Sequence, residues 1–232
     1  MSFSTPETTD VSKSYFGSVD DLMNWCGKIA GTDKINNFSS YVSALLLSWF
    51  GLTFTEMAPI NRKDVSFDDN HTAVTIVYID DEASAGRELV IRNPRVYSYL
   101  KKYYDATYFL VGKRVSQLYK GDLLIRNGTG RQLDRRACAN LGESLRKISA
   151  DAGCEKCFGL HSALISGRFA KLYAYAQYYD LPIRPRTPIG GEYLLYERLN
   201  KRTFGGSSSP GLLYRRWKIF YMWCKEYREV DQ

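Results

Sequence analysis

Apolar residues recur at helical spacing along most of the chain, broken once by a stretch in which β-branched residues dominate. Residues 1–14, rich in Ser, Thr, Asp and Glu, read as a flexible tail. Ser18-Val-Asp-Asp then predicts a helix N-cap followed by acids in the first turn, where the helix dipole favours them, with Leu22, Trp25, Cys26 and Ile29 on one face. A second helix is expected over residues 37–50. Its Val42, Leu45, Leu46, Trp49 and Phe50 leave almost no polar face, so it belongs at the centre of a core.

The period changes after Pro59. Ala73-Val-Thr-Ile-Val-Tyr-Ile79 and Arg87-Glu-Leu-Val-Ile91, separated by a turn-like acidic segment, predict a β-hairpin. Pro94 opens a helix through Val96, Tyr99, Leu100 and Tyr103. A short strand over residues 123–125 is expected to end in the turn Asn127-Gly-Thr-Gly130, and a helix from Asp134 to run to Gly153. Another helix covers residues 161–179. Pro182, Pro185 and Pro188 stiffen the connector after it, a helix runs from Gly191 to about Arg202, and Ser207-Ser-Ser-Pro210 starts a last helix bearing Leu213, Trp217, Phe220, Tyr221 and Cys224. The predicted class is mainly α (α+β), with one small antiparallel sheet and no internal repeats.

A chain of 232 residues with 44% hydrophobic content suffices for one substantial core. Lys and Arg outnumber Asp and Glu by 32 to 25, an excess that favours a polyanionic partner without demanding one. Five scattered cysteines and no recognisable secretory leader argue against a disulfide framework and for a reducing compartment. No apolar run approaches the roughly 18 residues that a membrane span needs. Cys154-Glu-Lys-Cys157 with His161 has the look of half a zinc site, but a structural site takes four ligands and no second pair is evident, so neither a metal nor a cofactor is expected.

The stretch from Leu45 through Gly51-Leu-Thr-Phe-Thr-Glu56 to Asp64-Val65 resembles, without gaps, the first conserved box of the tyrosine recombinases, the phage-integrase family. There an apolar helix runs into Gly-Leu-Arg, then Ser-Glu, then an aspartate before a strand. The hairpin, the helix opening at Pro94 and the basic helix ending in Ala152-Gly153 follow in family order. His161-Ser-Ala-Leu164 stands where the family has His-x-x-Arg, and Phe204-Gly-Gly-Ser-Ser resembles the Leu-Gly-His-Ser-Ser box, with Tyr214 near the place of the nucleophile. The likeness covers about residues 16–225, and implies a recombinase catalytic-domain-like fold over residues 15–232, with residues 204–232 a C-terminal helix used for self-association.

The departures carry more weight than the matches. In the family, two arginines and a lysine clamp the scissile phosphate. Here the arginine positions hold Thr53 and Leu164, the histidine of the last box is Gly206, and the hairpin turn offers Asp80, Asp81 and Glu82 in place of the lysine, with Arg87 the available substitute. Each lost donor to a developing oxyanion costs on the order of 3 kcal/mol. Thr53, His161, Leu164, Gly206 and Tyr214 are therefore read as vestiges, and the chain as a non-enzymatic double-stranded-DNA-binding protein similar to recombinase-fold phage lytic-cycle repressors. It would act as a transcriptional regulator of a phage or mobile element, in the bacterial cytoplasm. An active recombinase using Tyr214 with relocated arginines (Arg168 lies one turn beyond Leu164) and an antagonist that binds a recombinase through its aromatic last helix are the alternatives.

Basic residues mark the expected DNA track. Arg126, Arg131, Arg135 and Arg136 surround the start of one helix, from which Lys147 also points outward. Arg168, Arg184, Arg186, Arg202, Arg215 and Arg216 extend it.

Overall fold

The computed structural model describes residues 11–30, 38–80, 85–106, 108–111, 114–117, 121–126, 136, 159–206 and 208–228. It is mainly helical, with a small three-stranded antiparallel sheet. The helix predicted from Asp134, apart from the helical Arg136, and the turn at residues 127–130 lie outside the described residues.

Helix α1 (Val11–Ser14) is a single turn, and α2 (Val19–Ala30) follows it, with the Ser18 hydroxyl accepting the Asp21 amide at 3.1 Å as the sequence predicts. Helix α3 (Phe38–Trp49) is the central core helix: residues 40–49 are all buried, including Ser40, Ser43 and Ser48. The short α4 (Phe54–Met57) leads to a 3-10 turn and strand β1 (Val65–Phe67). Strands β2 (Val74–Ile79) and β3 (Gly86–Ile91) form the predicted hairpin, with β2 in the middle of the sheet. Register pairs Val65 with Ile76 and Val74 with Ile91, so these four side chains line the buried face, while Val77, Ile79 and Val90 face outward.

Helix α5 (Pro94–Asp105) begins with Pro94 at its first position and Asn93 capping the amides of Arg95 and Val96. A two-stranded hairpin, β4 (Tyr108–Val111) and β5 (Arg114–Gln117), follows; the sequence reading did not anticipate it. The strand expected at residues 123–125 is instead one antiparallel bridge, Leu123 against Asn61, supported by the Leu124 amide on the Ile60 carbonyl.

Helices α6 (Leu160–Tyr178), α7 (Gly190–Phe204) and α8 (Pro210–Tyr227) complete the fold. Helix α6 lies tightly against α3: Gly167 packs so closely that a Cβ there would overlap the Trp49 carbonyl oxygen. A second apolar cluster gathers Phe169 and Leu172 of α6, Tyr196 and Leu199 of α7, and Leu213, Trp217, Phe220 and Trp223 of α8. The apolar face of the last helix is thus covered within its own chain, which leaves Leu212, Tyr214 and Met222 as its exposed large apolar side chains.

The expectation of a tail through residue 14 is corrected over its last four residues. Val11 is buried in the second cluster and α1 packs on α8. The next residues are pinned there by polar bonds. Trp223 Nε1 donates to the Phe16 carbonyl (2.9 Å), Tyr227 Oη to that of Tyr15 (2.7 Å) and Arg228 Nη2 to that of Gly17 (2.8 Å). The Phe16 amide donates to Ser166 Oγ at 2.9 Å.

Candidate nucleic-acid interface

Of the positions that the resemblance equates with the family's phosphate clamp, Thr53 and Arg87 are engaged within the chain. Thr53 is the N-cap of α4 in a reciprocal box with Glu56: its hydroxyl receives the Glu56 amide at 3.3 Å and the carboxylate takes the Thr53 amide at 2.7 Å. Thr53 therefore shapes backbone. Leu164 is half-buried on α6, and His161 is exposed in the first turn of that helix. Arg87, which the resemblance would set in place of a family lysine, is paired with the buried Asp80 at 2.8 Å. Gly206 takes a left-handed conformation (φ 59°) in the link between α7 and α8. Tyr214 is 46% exposed, with the Lys218 ammonium 4.5 Å from its ring centroid, so it is not part of the apolar face that its neighbours Leu213 and Trp217 form.

Of the expected DNA contacts, Arg126 is overturned. It is 2% exposed, with Nη1 donating to the Leu123 carbonyl at 3.2 Å and the guanidinium 6.0 Å from the Tyr103 ring centroid. Burial holds its pKa below the usual arginine value. Its backbone joins a buried network in which Ser40 Oγ donates to the Arg126 carbonyl and Tyr103 Oη to that of Leu124. Such a residue holds the segment in place and does not reach a phosphate. Nothing in the local pattern separates it from its basic neighbours, but Leu124 and Ile125 beside it are both core. Arg131, Arg135, Lys147, Cys154 and Cys157 lie outside the described residues, and Arg136 is exposed.

The remaining arginines gather on the second half of the molecule. Arg184 and Arg186 are exposed on the proline-rich connector, whose backbone is fastened by Trp217: its Nε1 donates to both the Arg184 and the Arg186 carbonyls, at 3.0 and 3.1 Å. The Arg184 side chain reaches Glu192 at 4.0 Å. Arg215 is exposed on α8.

Arg168, Lys171, Arg202 and Arg216, from three helices, converge on two aromatic rings. The guanidinium groups of Arg168 and Arg216 lie 5.6 and 4.4 Å from the Phe204 centroid. The Arg202 guanidinium and the Lys171 ammonium lie 4.7 and 6.0 Å from that of Tyr175. Arg216 also donates to Ser208 Oγ at 2.9 Å and is anchored near Asn200 Oδ1 at 3.5 Å, both neutral groups. Partial burial, then the charges of Arg202 and Arg168, push the Lys171 pKa below its usual value. Burial does the same to Arg216. The rings offer their negative faces in partial compensation, and a bound anion would add to it. Lys171 was missed in the sequence, where residues 161–179 read as a helix with no face assigned; its three-residue spacing from Arg168 is the signal that both share a face.

The two described cysteines outside this region are buried free thiols. Burial pushes Cys26 up to about 12 and raises Cys224 as well. Both are therefore expected to resist a thiol reagent near neutral pH, where a thiolate would be needed, and to react fully once denaturant is added. Counting titrated thiols in the two conditions checks this. Among the described residues no cluster of three or more His, Cys, Asp or Glu side chains is placed to hold a metal ion, and no helix is long and apolar enough to cross a membrane.

No protein-family model matches the chain, and no curated protein matches it.

Proposed function

We propose that this protein binds double-stranded DNA without cutting it, as a catalytically degenerate member of the tyrosine-recombinase fold serving a phage or mobile element as a repressor-like regulator. The observation that carries the reading is the convergence of Arg168, Lys171, Arg202 and Arg216 around Phe204 and Tyr175. Cations held in proximity, with Lys171 and Arg216 partly desolvated, are what a phosphate backbone relieves. The non-cleaving half of the reading is supported by Thr53 acting as a cap, Leu164 replacing a phosphate-binding side chain and Arg87 engaged by Asp80. Exposed Arg184, Arg186 and Arg215 are further phosphate contacts in this reading, and the C-terminal helix is the surface for any homo-oligomer.

The test is binding of the purified chain to duplex DNA from its own genetic neighbourhood, followed across salt concentrations, with a denaturing gel run in parallel. Four phosphate contacts predict an affinity loss of about a hundredfold between roughly 50 and 200 mM salt. No band should survive denaturation, and Tyr214→Phe should bind as the parent does. A covalent adduct that disappears in Tyr214→Phe would show strand cleavage and overturn the non-enzymatic reading. Absence of salt-sensitive binding would overturn DNA binding itself and favour a protein partner.

A further inference from the structure

The face of α6 that carries Arg168 and Lys171 continues in both directions. His161, Leu164, Arg168, Lys171, Tyr175 and Tyr178 follow one another at three- and four-residue steps, which places them in one narrow stripe along roughly 25 Å of helix. Core residues flank the stripe, among them Ala163, Phe169, Leu172 and Ala176. Toward the C-terminal end of the stripe, Tyr175 is half-buried beneath the cations of Arg202 and Lys171. One turn further on, Tyr178 is 78% exposed. Its ring stands at 85° to that of Tyr179, centroids 4.8 Å apart. This edge-to-face contact restrains the ring, while its exposure leaves a π-face open to solvent.

A lone exposed tyrosine needs no explanation. One that extends a row of cations along the same helix face has a chemistry of its own: cations hold successive phosphates while an open ring stacks a base. An intact duplex keeps the faces of its bases against one another, so only an unpaired base reaches such a ring.

We propose that the α6 stripe is a binding track for single-stranded DNA, with Arg168, Lys171 and Arg202 on the phosphates and Tyr178 stacked on a base. This rests on the DNA-binding reading and adds to it a preference for DNA with an unpaired stretch, such as an opened or recessed end beside a duplex. The charge of the cluster and the open aromatic face belong to the same ligand class, an anionic backbone carrying planar groups.

Fluorescence anisotropy of the whole chain with a labelled single strand about 20 nucleotides long, and with the duplex of the same sequence, tests the assignment. Tyr178→Ala is expected to weaken single-strand binding about tenfold and duplex binding by no more than about twofold, since stacking contributes only to the former. Tyr178→Phe keeps the ring face and should restore the single-strand affinity. Unchanged single-strand binding in Tyr178→Ala, or an equal loss on both DNAs, overturns the platform while leaving salt-dependent duplex binding intact. If the parent chain binds neither DNA, the platform falls together with the DNA-binding reading. Circular dichroism of the variants, whose altered side chain is exposed, verifies that the fold is unchanged.

Discussion

Replacing Lys171 and Arg202 together by glutamate is expected to weaken duplex binding by more than about a hundredfold at moderate salt, and to lower the slope of log affinity against log salt by about two. Each residue stands for roughly one displaced counterion, and each glutamate adds repulsion to the lost attraction. The same variant should melt close to the temperature of the parent. The Lys171 charge is disfavoured by desolvation and then by Arg202 and Arg168; in the double variant positions 171 and 202 remain like-charged while each now attracts Arg168, so the electrostatic changes largely offset. Binding lost while stability holds is a signature that misfolding does not mimic. If the variant instead binds duplex as tightly as the parent, the DNA surface lies elsewhere and the convergence around Phe204 and Tyr175 has no part in it.

The largest expected loss of stability comes from one methyl group. In Gly167→Ala the new carbon would overlap the carbonyl oxygen of Trp49, a backbone atom on the central core helix. No rotamer change removes such an overlap, so α3 and α6 must separate along their contact, opening voids among buried residues such as Leu45, Leu46 and Ala163. A cost of about 3 kcal/mol or more is expected, a fall of about 10 °C in Tm for a chain of this size. Gly211→Ala is the control. It also lies in a helix, with nothing within 4 Å of the added carbon, and should be neutral or mildly stabilising through helix propensity alone. Equal melting of the two variants would show that the α3–α6 approach does not limit stability.

Much of the helical frame was legible because its signals are local. Ser18, Pro94 and the Ser-Pro pair at 209–210 are start signals that act through a single turn, and the apolarity of residues 41–49, interrupted by Ser43 and Ser48, admits little besides a central helix. The hairpin of β2 and β3 was legible from β-branched residues. Its third strand, β1, is three residues long and carries no period of its own. The β4–β5 hairpin was missed although Tyr-Phe-Leu-Val and Arg-Val-Ser-Gln flank Gly112-Lys113, a two-residue turn signal that the neighbouring tyrosine-rich helix obscured.

The candidate site was legible as chemistry and much less as geometry. A basic surface was expected, but Arg126 had to be removed from it and Lys171 added. What decides between a buried and an exposed cation is which distant element covers it. Tyr103 and Ser40 enclose Arg126 from 23 and 86 residues away in sequence, so no local window holds that information. The fate of Tyr214 is similar: residues on either side of a helix share composition, and only the packing of α8 decides which side meets water.

The clamp of residues 15–17 onto Trp223, Tyr227 and Arg228 also bears on how the chain is made. Residues 15–17 are synthesised more than 200 positions before the helix that receives them, as the separations of 207, 212 and 211 residues record. Phe16 and its neighbours must therefore wait, partly uncovered, until α8 has been made. Contacts of such long sequence separation close late and slowly. Docking of residues 15–17 is then a late step of folding, a latch that shuts only once α8 is in place.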